Sequence, residues 1–496
     1  MKSTFIPKQP FDFLLPVSAA GLLFAVAGTS LPAVPEEERL PNILFISIDD
    51  LNNDLGILGV AHAQTPALDQ FAGKARLFTR HYVQVPTCGA SRAALLSGLR
   101  PSSGMHIRNQ AILNLHEEWG ERNLPGWFRQ HGYRTLALGK IGHYPGGLAG
   151  ADWAEGPEEM PGFWDRIWVP DSPWETPEAM MHGYANGKPR DRGVSPPIEA
   201  YDGPDTAYPD GWVAKEAVEV LEDLSRDDTP WFFAVGYFKP HLPFAAPKRW
   251  WDIHDPENIP APPNPERAPP GPSSYHPSGE LMSAYGGHDG KDPRTDPDYA
   301  RTLRHGYAAS VSYVDAQVGK LLDQVDNLGL ADNTIIVIWS DHGFSLGSHE
   351  TWAKHSLYEE ALLCPLIIRY PGMDYEGRKS SAIVETLDIF PTLIELSGLP
   401  EPDGLDGRSL VPQLVEPEAP SGKPALAWWR GGQVTVRVDD WRLIAHLSRD
   451  DTAFELFDFR ELPYGKRASP EDHPAIMEKL RGHLKGIPTF DIPTLD

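Results

Sequence analysis

Two pairs of candidate metal ligands lie far apart in the chain: the adjacent acids Asp49 and Asp50, and the dipeptide Asp341-His342. Adjacent acids alone fit a solvated turn. Each pair, however, follows an apolar run. A hard cation then becomes the better account, because carboxylate oxygens suit calcium or magnesium and calcium tolerates irregular, oxygen-rich coordination. Imidazole is an unusual calcium ligand, so ligand type alone leaves the metal open. Lys140 with His143, and Lys239 with His241, add ammonium and imidazole groups in comparable positions. Such a set can neutralise an anion beside a cation and transfer protons.

The segment CGASRAALLSGLRP, residues 88–101, carries a sharper signal. Ser91 to Leu96 reads as the start of a helix with Cys88 just before it. Free backbone N–H groups and the helix dipole favour an anion there. Arg92, four residues on, can point back to the same place. A cysteine in this position can be a small buried residue or a thiolate nucleophile. Cys364 is the only other cysteine, so a single disulfide is a third account.

The elements that must present these groups follow from hydropathy. PNILFISIDD is a buried strand that ends in Asp49 and Asp50; TIIVIWSDHG ends in Asp341 and His342. RTLALGK leads to Lys140 and His143, and WFFAVGYF to Lys239 and His241. Ligands of open α/β sheets gather at the carboxyl ends of the strands. TPALDQFAGKARLFTRHY has helical spacing, with Thr65 as N-cap and Pro66 at the first helical position. Helices alternating with short apolar strands predict a mostly parallel central sheet sandwiched by helices. Residues 144–215, rich in Gly, Pro and Trp, and residues 252–300, with a dense proline run, read as ordered excursions over the sheet edge. From Pro417 to Pro424 the chain resembles a linker. Short strand patterns and a helix near 469–484 follow. This predicts a main domain over 34–416 and a small C-terminal α+β subdomain over 417–496.

The chain has 496 residues and a formal charge of −25. That balance excludes nucleic acid as a partner. It does not exclude an anionic substrate, since exposed charges beyond a Debye length are screened and one pocket can be locally positive. Lys2 and Lys8 precede an apolar stretch from Phe11 to Ala27 and small residues after it. This reads as a signal peptide over 1–33 and an exported, periplasmic or extracellular, protein. The run is short for a membrane span, and no later segment is apolar enough to be one.

C-x-[P/A]-x-R followed by a helix, Ser97-Gly98 and Pro101 resembles the signature of the type I, formylglycine-dependent sulfatases of the alkaline phosphatase superfamily. Ala90 stands where proline is commoner. NILFISIDD, GKIGH, FKPHLPF and SDHGFSLGSHETWAK extend the resemblance over nearly the whole chain, and their spacing is most similar to iduronate-2-sulfatase and its bacterial relatives. The resemblance implies an alkaline phosphatase-like fold, one calcium ion, and conversion of Cys88 to formylglycine by a maturation enzyme. It implies Asp49, Asp50, Asp341, His342 and the modified Cys88 as calcium ligands. Arg92 and Lys140 would hold the formylglycine hydrate, with His143 on its second hydroxyl. His241 and Lys354 would be leaving-group acid and sulfate ligand, and Lys239 a further substrate contact. His349 and His355 are left open between site and surface. The implied substrate is a sulfated polysaccharide or oligosaccharide, with a 2-O-sulfated uronic acid as first choice. Its carboxylate would need a cation, for which Lys239, Arg108 and Arg166 are candidates, and the stretch 144–215 would wall off one end for exo-action. Rival readings are a phosphonate or phosphodiester hydrolase on the same fold and a non-catalytic polysaccharide-binding protein with Cys88 as a thiol or in a disulfide.

Overall fold

The computed structural model describes residues 39–267, 272–373, 377–430, 432–447, 452–462, 464–488 and 490. The expected leader lies outside them. Strand β1 (Asn42–Asp49) is buried on both faces. Side chains alternate along a strand, so Leu44, Ile46 and Ile48 enter one core and Ile43 and Phe45 the other. The first core is closed by helices α1 (Pro66–Ala72), α4 (Pro209–Leu224) and α5 (Pro297–Asn327). The second is closed by α2 (Cys88–Ser97), α3 (Leu124–Gln130) and α6 (Ile389–Leu396). Two apolar faces on one sheet require helices on both sides, which gives the sandwich.

The other strands of this sheet are β2 (Arg76–Tyr82), β3 (Arg134–Gly139), β4 (Arg166–Trp168), β5 (Trp231–Pro240), β6 (Thr334–Ser340), β7 (Leu366–Arg369) and β8 (Lys379–Glu385). Their order is β8-β2-β7-β6-β1-β5-β3-β4. β1 is parallel to β5 and β6, and β3 to β4 and β5. β7 runs antiparallel to both neighbours, β2 and β6. The carboxyl ends of β6, β1, β5 and β3 therefore share one edge, and that edge carries the site.

One expectation is corrected. Residues 65–82 do not form a single helical segment. The helix stops at Ala72, and RLFTRHY is strand β2. Gly73 and Lys74 end the helix, and the aromatic and β-branched residues beyond favour an extended chain. Thr65 makes no N-cap hydrogen bond; its hydroxyl accepts from Gly56 N–H and donates to Asp69.

A second sheet begins at Ala425. It is an antiparallel meander of β9 (Ala425–Trp429), β10 (Gln433–Val438), β11 (Trp441–Leu447), β12 (Thr452–Asp458) and β13 (Lys466–Ala468). Helix α7 (Pro474–Leu484) packs Leu480 against Val436, Leu443 and Leu456. Ala427, Ile444 and Phe457 pack with Tyr82, Leu357 and Leu362, which brings this sheet beside the loop that carries Lys354. Among the described residues no helix is long and apolar enough to cross a membrane.

Candidate active site

Asp49 is the last residue of β1, and Asp50 follows with φ 61°. In a continuing strand the two carboxylates would face opposite ways. The left-handed turn at Asp50 breaks that alternation and lets both serve one edge. Lys140 comes directly after β3, His241 after β5, and Asp341 and His342 after β6. Helix α2 begins at Cys88 itself, with Thr87 as N-cap, so the cysteine occupies the first turn rather than preceding the helix. Gly89 permits a close approach here: a Cβ on it would lie 2.2 Å from the Asn109 carbonyl oxygen.

Arg92 is fully buried and ties these elements together. Its Nε donates to Asp341 Oδ2 at 2.9 Å and a terminal nitrogen to Asp49 Oδ1 at 3.2 Å. The other terminal nitrogen donates to Ser47 Oγ and to the carbonyls of Lys140 and Ile141. The ammonium of Lys140 pairs with Asp49 Oδ2. Arg92 and Lys140, expected on the modified cysteine, thus have the carboxylates as their direct partners. Lys354 Nζ bridges Asp50 Oδ1 at 2.9 Å and Cys88 Sγ at 3.3 Å. Lys354 is flanked by Ala353 at φ 69° and His355 at φ 76°, sparsely populated conformations that concentrate at functional sites.

The donor atoms of Asp49, Asp50, Cys88 and His342 all lie within 4.8 Å of one another. Asp341 Oδ2 is 3.7 Å from His342 Nε2. The Nδ1 of His342 donates to the Gly343 carbonyl at 3.0 Å, which leaves Nε2 with a free lone pair facing Cys88 and Asp50. Burial and the negative charges of Asp49, Glu280 and Asp341 push Asp50 well above the usual carboxylate range, against Lys354. Burial opposes ionisation of Asp49 as well, but Lys140, His241 and Arg92 outweigh it and hold its carboxyl well below that range. Crowded carboxylates beside one lone-pair imidazole fit a hard divalent cation.

Burial and the adjacent Asp49 push the Cys88 thiol up. That disfavours the thiolate-nucleophile account. Both cysteines are free. Cys364 Sγ instead donates to the Ser340 carbonyl at 3.1 Å. The disulfide account is therefore not met.

Above this floor opens a cleft of 510 Å³, lined by Cys88, His143, His241, Lys354 and His355 among others. Burial and the positive Lys140 lower His143, and burial and Lys354 lower His241. His241 Nδ1 donates to the Leu242 carbonyl at 2.6 Å, which turns Nε2 toward Glu280 at 3.7 Å.

Lys239 does not join them. Its buried ammonium donates to the carbonyls of His241 and Pro243, so it shapes the loop rather than contacting a ligand. Arg166 lies 3.9 Å over the Trp168 ring, away from the cleft lining. Arg108 is outside the lining too, but adjoins Asn109, which belongs to it. The arginines that line the cleft are Arg190 and Arg192. His349 packs against Tyr358 and Phe457, apart from the cleft, whereas His355 lines it.

Sequence reasoning missed Glu280, Asn109 and Glu159. Glu280 comes from the proline-rich excursion. Asn109 accepts from Gly89 N–H and Thr87 Oγ1 beside Cys88. Glu159, from the 144–215 stretch, accepts from the backbone N–H groups of His143 and Tyr144. The density of Trp and Pro marked only the neighbourhoods of Glu159 and of Glu280, which sits in the one-turn helix Gly279–Met282; no sequence signal marked Asn109.

The sulfatase family profile matches residues 41–399. A second profile, N-sulphoglucosamine sulphohydrolase, C-terminal, matches residues 347–486. A sulfatase of Formosa agariphila is 32% identical over 439 residues, which cover 86% of this chain and 82% of its own. The iduronate 2-sulfatase of Homo sapiens is 32% identical over 438 residues, covering 78% of this chain and 74% of its own. The phosphonate monoester hydrolase from Silicibacter pomeroyi superposes with a TM-score of 0.70 over 90% of this chain and 96% of its own. At 23% identity that likeness speaks for the fold alone.

Proposed function

The chain belongs to the sulfatase family and is a sulfuric ester hydrolase; from that premise we propose that it removes sulfate from a 2-O-sulfated uronic acid at the end of a carbohydrate chain, with Cys88 matured to formylglycine and calcium held by Asp49, Asp50, Asp341, His342 and residue 88. The observation that carries this reading is the convergence of four donor groups within 4.8 Å beneath the His143, His241 and Lys354 cleft. When present, the cation would polarise sulfuryl oxygens and the formylglycine hydrate would supply the nucleophile.

The chain's own residues do the rest. Lys354 and Lys140 neutralise charge on the sulfuryl group. His241, protonated at Nε2 beside Glu280, donates to the departing sugar oxygen, a transfer that typically contributes roughly 10²–10⁴-fold. His143, kept neutral, is the base beside residue 88. Arg92 holds Asp49 and Asp341 in place. Arg190 and Arg192 replace Lys239 and Arg166 as candidate partners for the uronate carboxylate, because they line the cleft. The same proposal includes export through the 1–33 leader and an accessory enzyme that converts Cys88.

The test is sulfate release from a 2-O-sulfated unsaturated uronyl disaccharide compared with a 6-O-sulfated hexosamine. Preference for the hexosamine would refute the uronate reading and leave the sulfatase assignment standing. An aryl phosphodiester serves as the third substrate, and its dominance would favour the phosphonate or phosphodiester alternative.

A further inference from the structure

His355, at the edge of the cleft, abuts the second sheet. The His355 ring stacks on Trp429, the last residue of β9, with centroids 5.2 Å and planes 12° apart. Arg430 follows in the turn, its guanidinium 5.2 Å from the centre of the same indole. Arg108 adjoins Asn109, which lines the cleft. Ile107, which precedes Arg108, packs in one apolar cluster with Trp428 and Trp429, so the segments that carry Arg108 and Arg430 are held together; burial and Arg108 both lower the Arg430 guanidinium.

Neither arginine has an acidic partner among the described residues, and the Arg108 Nε is buried without a hydrogen bond. Several other arginines of this acidic chain are matched, among them Arg100 with Glu385, Arg442 with Glu359 and Arg460 with Asp458. Like charges held close repel unless an anion lies between them. Guanidinium groups match the oxygens of a tetrahedral anion through paired hydrogen bonds.

We propose that Arg108 and Arg430, braced by Trp429, form a second saccharide subsite that binds a sulfate group on the sugar adjoining the one that is desulfated. The inference rests on the carbohydrate reading above and extends it, since it makes the natural substrate a chain with sulfates on consecutive sugars. The second sheet then contributes directly to substrate choice. Its position follows from two cleft-lining residues: Asn109 adjoins Arg108 in sequence, and His355 stacks on the Trp429 ring that Arg430 also meets.

Two unsaturated 2-O-sulfated uronyl disaccharides test it, one with a 6-O-sulfated second sugar and one with that sugar unsulfated. Charge-assisted contacts of this kind are worth roughly a tenfold preference in kcat/KM, expressed mainly in KM. Arg430→Ala and Arg108→Ala should each erode the preference, Arg430→Glu should abolish it, and Arg430→Lys should keep part of it. Arg430 is exposed, so its series decides the matter even if Arg108→Ala unfolds. Equal rates on the two disaccharides in the wild type, or an undiminished preference in the Arg430 variants, would overturn the subsite and leave the uronate reading intact. Release from neither disaccharide by an enzyme that still cleaves an aryl sulfate would overturn both.

Discussion

The carboxylate of Glu280 stands 3.2 Å from the ammonium of Lys354. The same oxygen is 3.7 Å from His241 Nε2. Burial would raise Glu280, but the charges of Lys354 and His355 hold its carboxyl down at about 2. Its contribution to stability is thus complete above the unfolded value near ~4.3 and is lost as pH falls through about 2. Glu280→Gln keeps the shape and removes the charge that supports a protonated His241. Turnover of sugar sulfates should fall by roughly 10²-fold, with a smaller loss on aryl sulfates, because the acid's share of catalysis is of that order. Equal losses on both substrates would limit Glu280 to holding Lys354.

Cys88 should be found as an aldehyde in active protein. Peptide mass analysis should show loss of H₂S and gain of oxygen at that residue. Cys88→Ser should melt at the wild-type temperature without turning over. An intact thiol in fully active enzyme would remove formylglycine from the mechanism.

Asp341→Ala should lose bound divalent metal, measured by elemental analysis, along with its rate. It should also be less stable by about 1–3 kcal/mol, because the buried Arg92 guanidinium loses the carboxylate it meets at 2.9 Å and keeps only that of Asp49. Full metal occupancy in the folded variant would strike Asp341 from the ligand set.

His241→Ala should slow natural sugar sulfates far more than activated aryl sulfates. A good leaving group departs without protonation, so loss of the acid matters less to it. If both substrates suffer alike, the acid lies elsewhere, and His143 is the next residue to vary.

Glu159 makes a pH prediction that needs no substrate. Burial, only partly offset by the backbone N–H groups of His143 and Tyr144, raises its carboxyl to about 7. A folded value above the unfolded one means stability that is complete below the unfolded value near ~4.3 and lost as pH rises through about 7. Glu159→Gln should flatten the decline in Tm across that window. An unchanged profile would show that Glu159 does not titrate there.

The sandwich and much of the site were legible in the chain alone. Alternation and length mark PNILFISIDD and TIIVIWSDHG as buried strands, and a parallel sheet must bring their ends to one edge, so Asp49, Asp50, Asp341 and His342 could be grouped without coordinates. CGASR marked Cys88 and Arg92 in the same way. The tertiary structure alone decided partners. Lys239 and His241 are two residues apart and looked equivalent, yet one spends its charge on backbone carbonyls while the other faces the cleft. Arg92 meets Asp49 and Asp341 because three strand ends converge around it. Glu280 reaches the cleft on a one-turn helix, and Arg190 and Asn109 reach it on loops and turns. The physical reason is one of range. Strand periodicity is a local property of backbone and solvent, readable within ten residues, whereas the direction of a loop side chain is set by contacts hundreds of residues away that exist only once the sheet has formed.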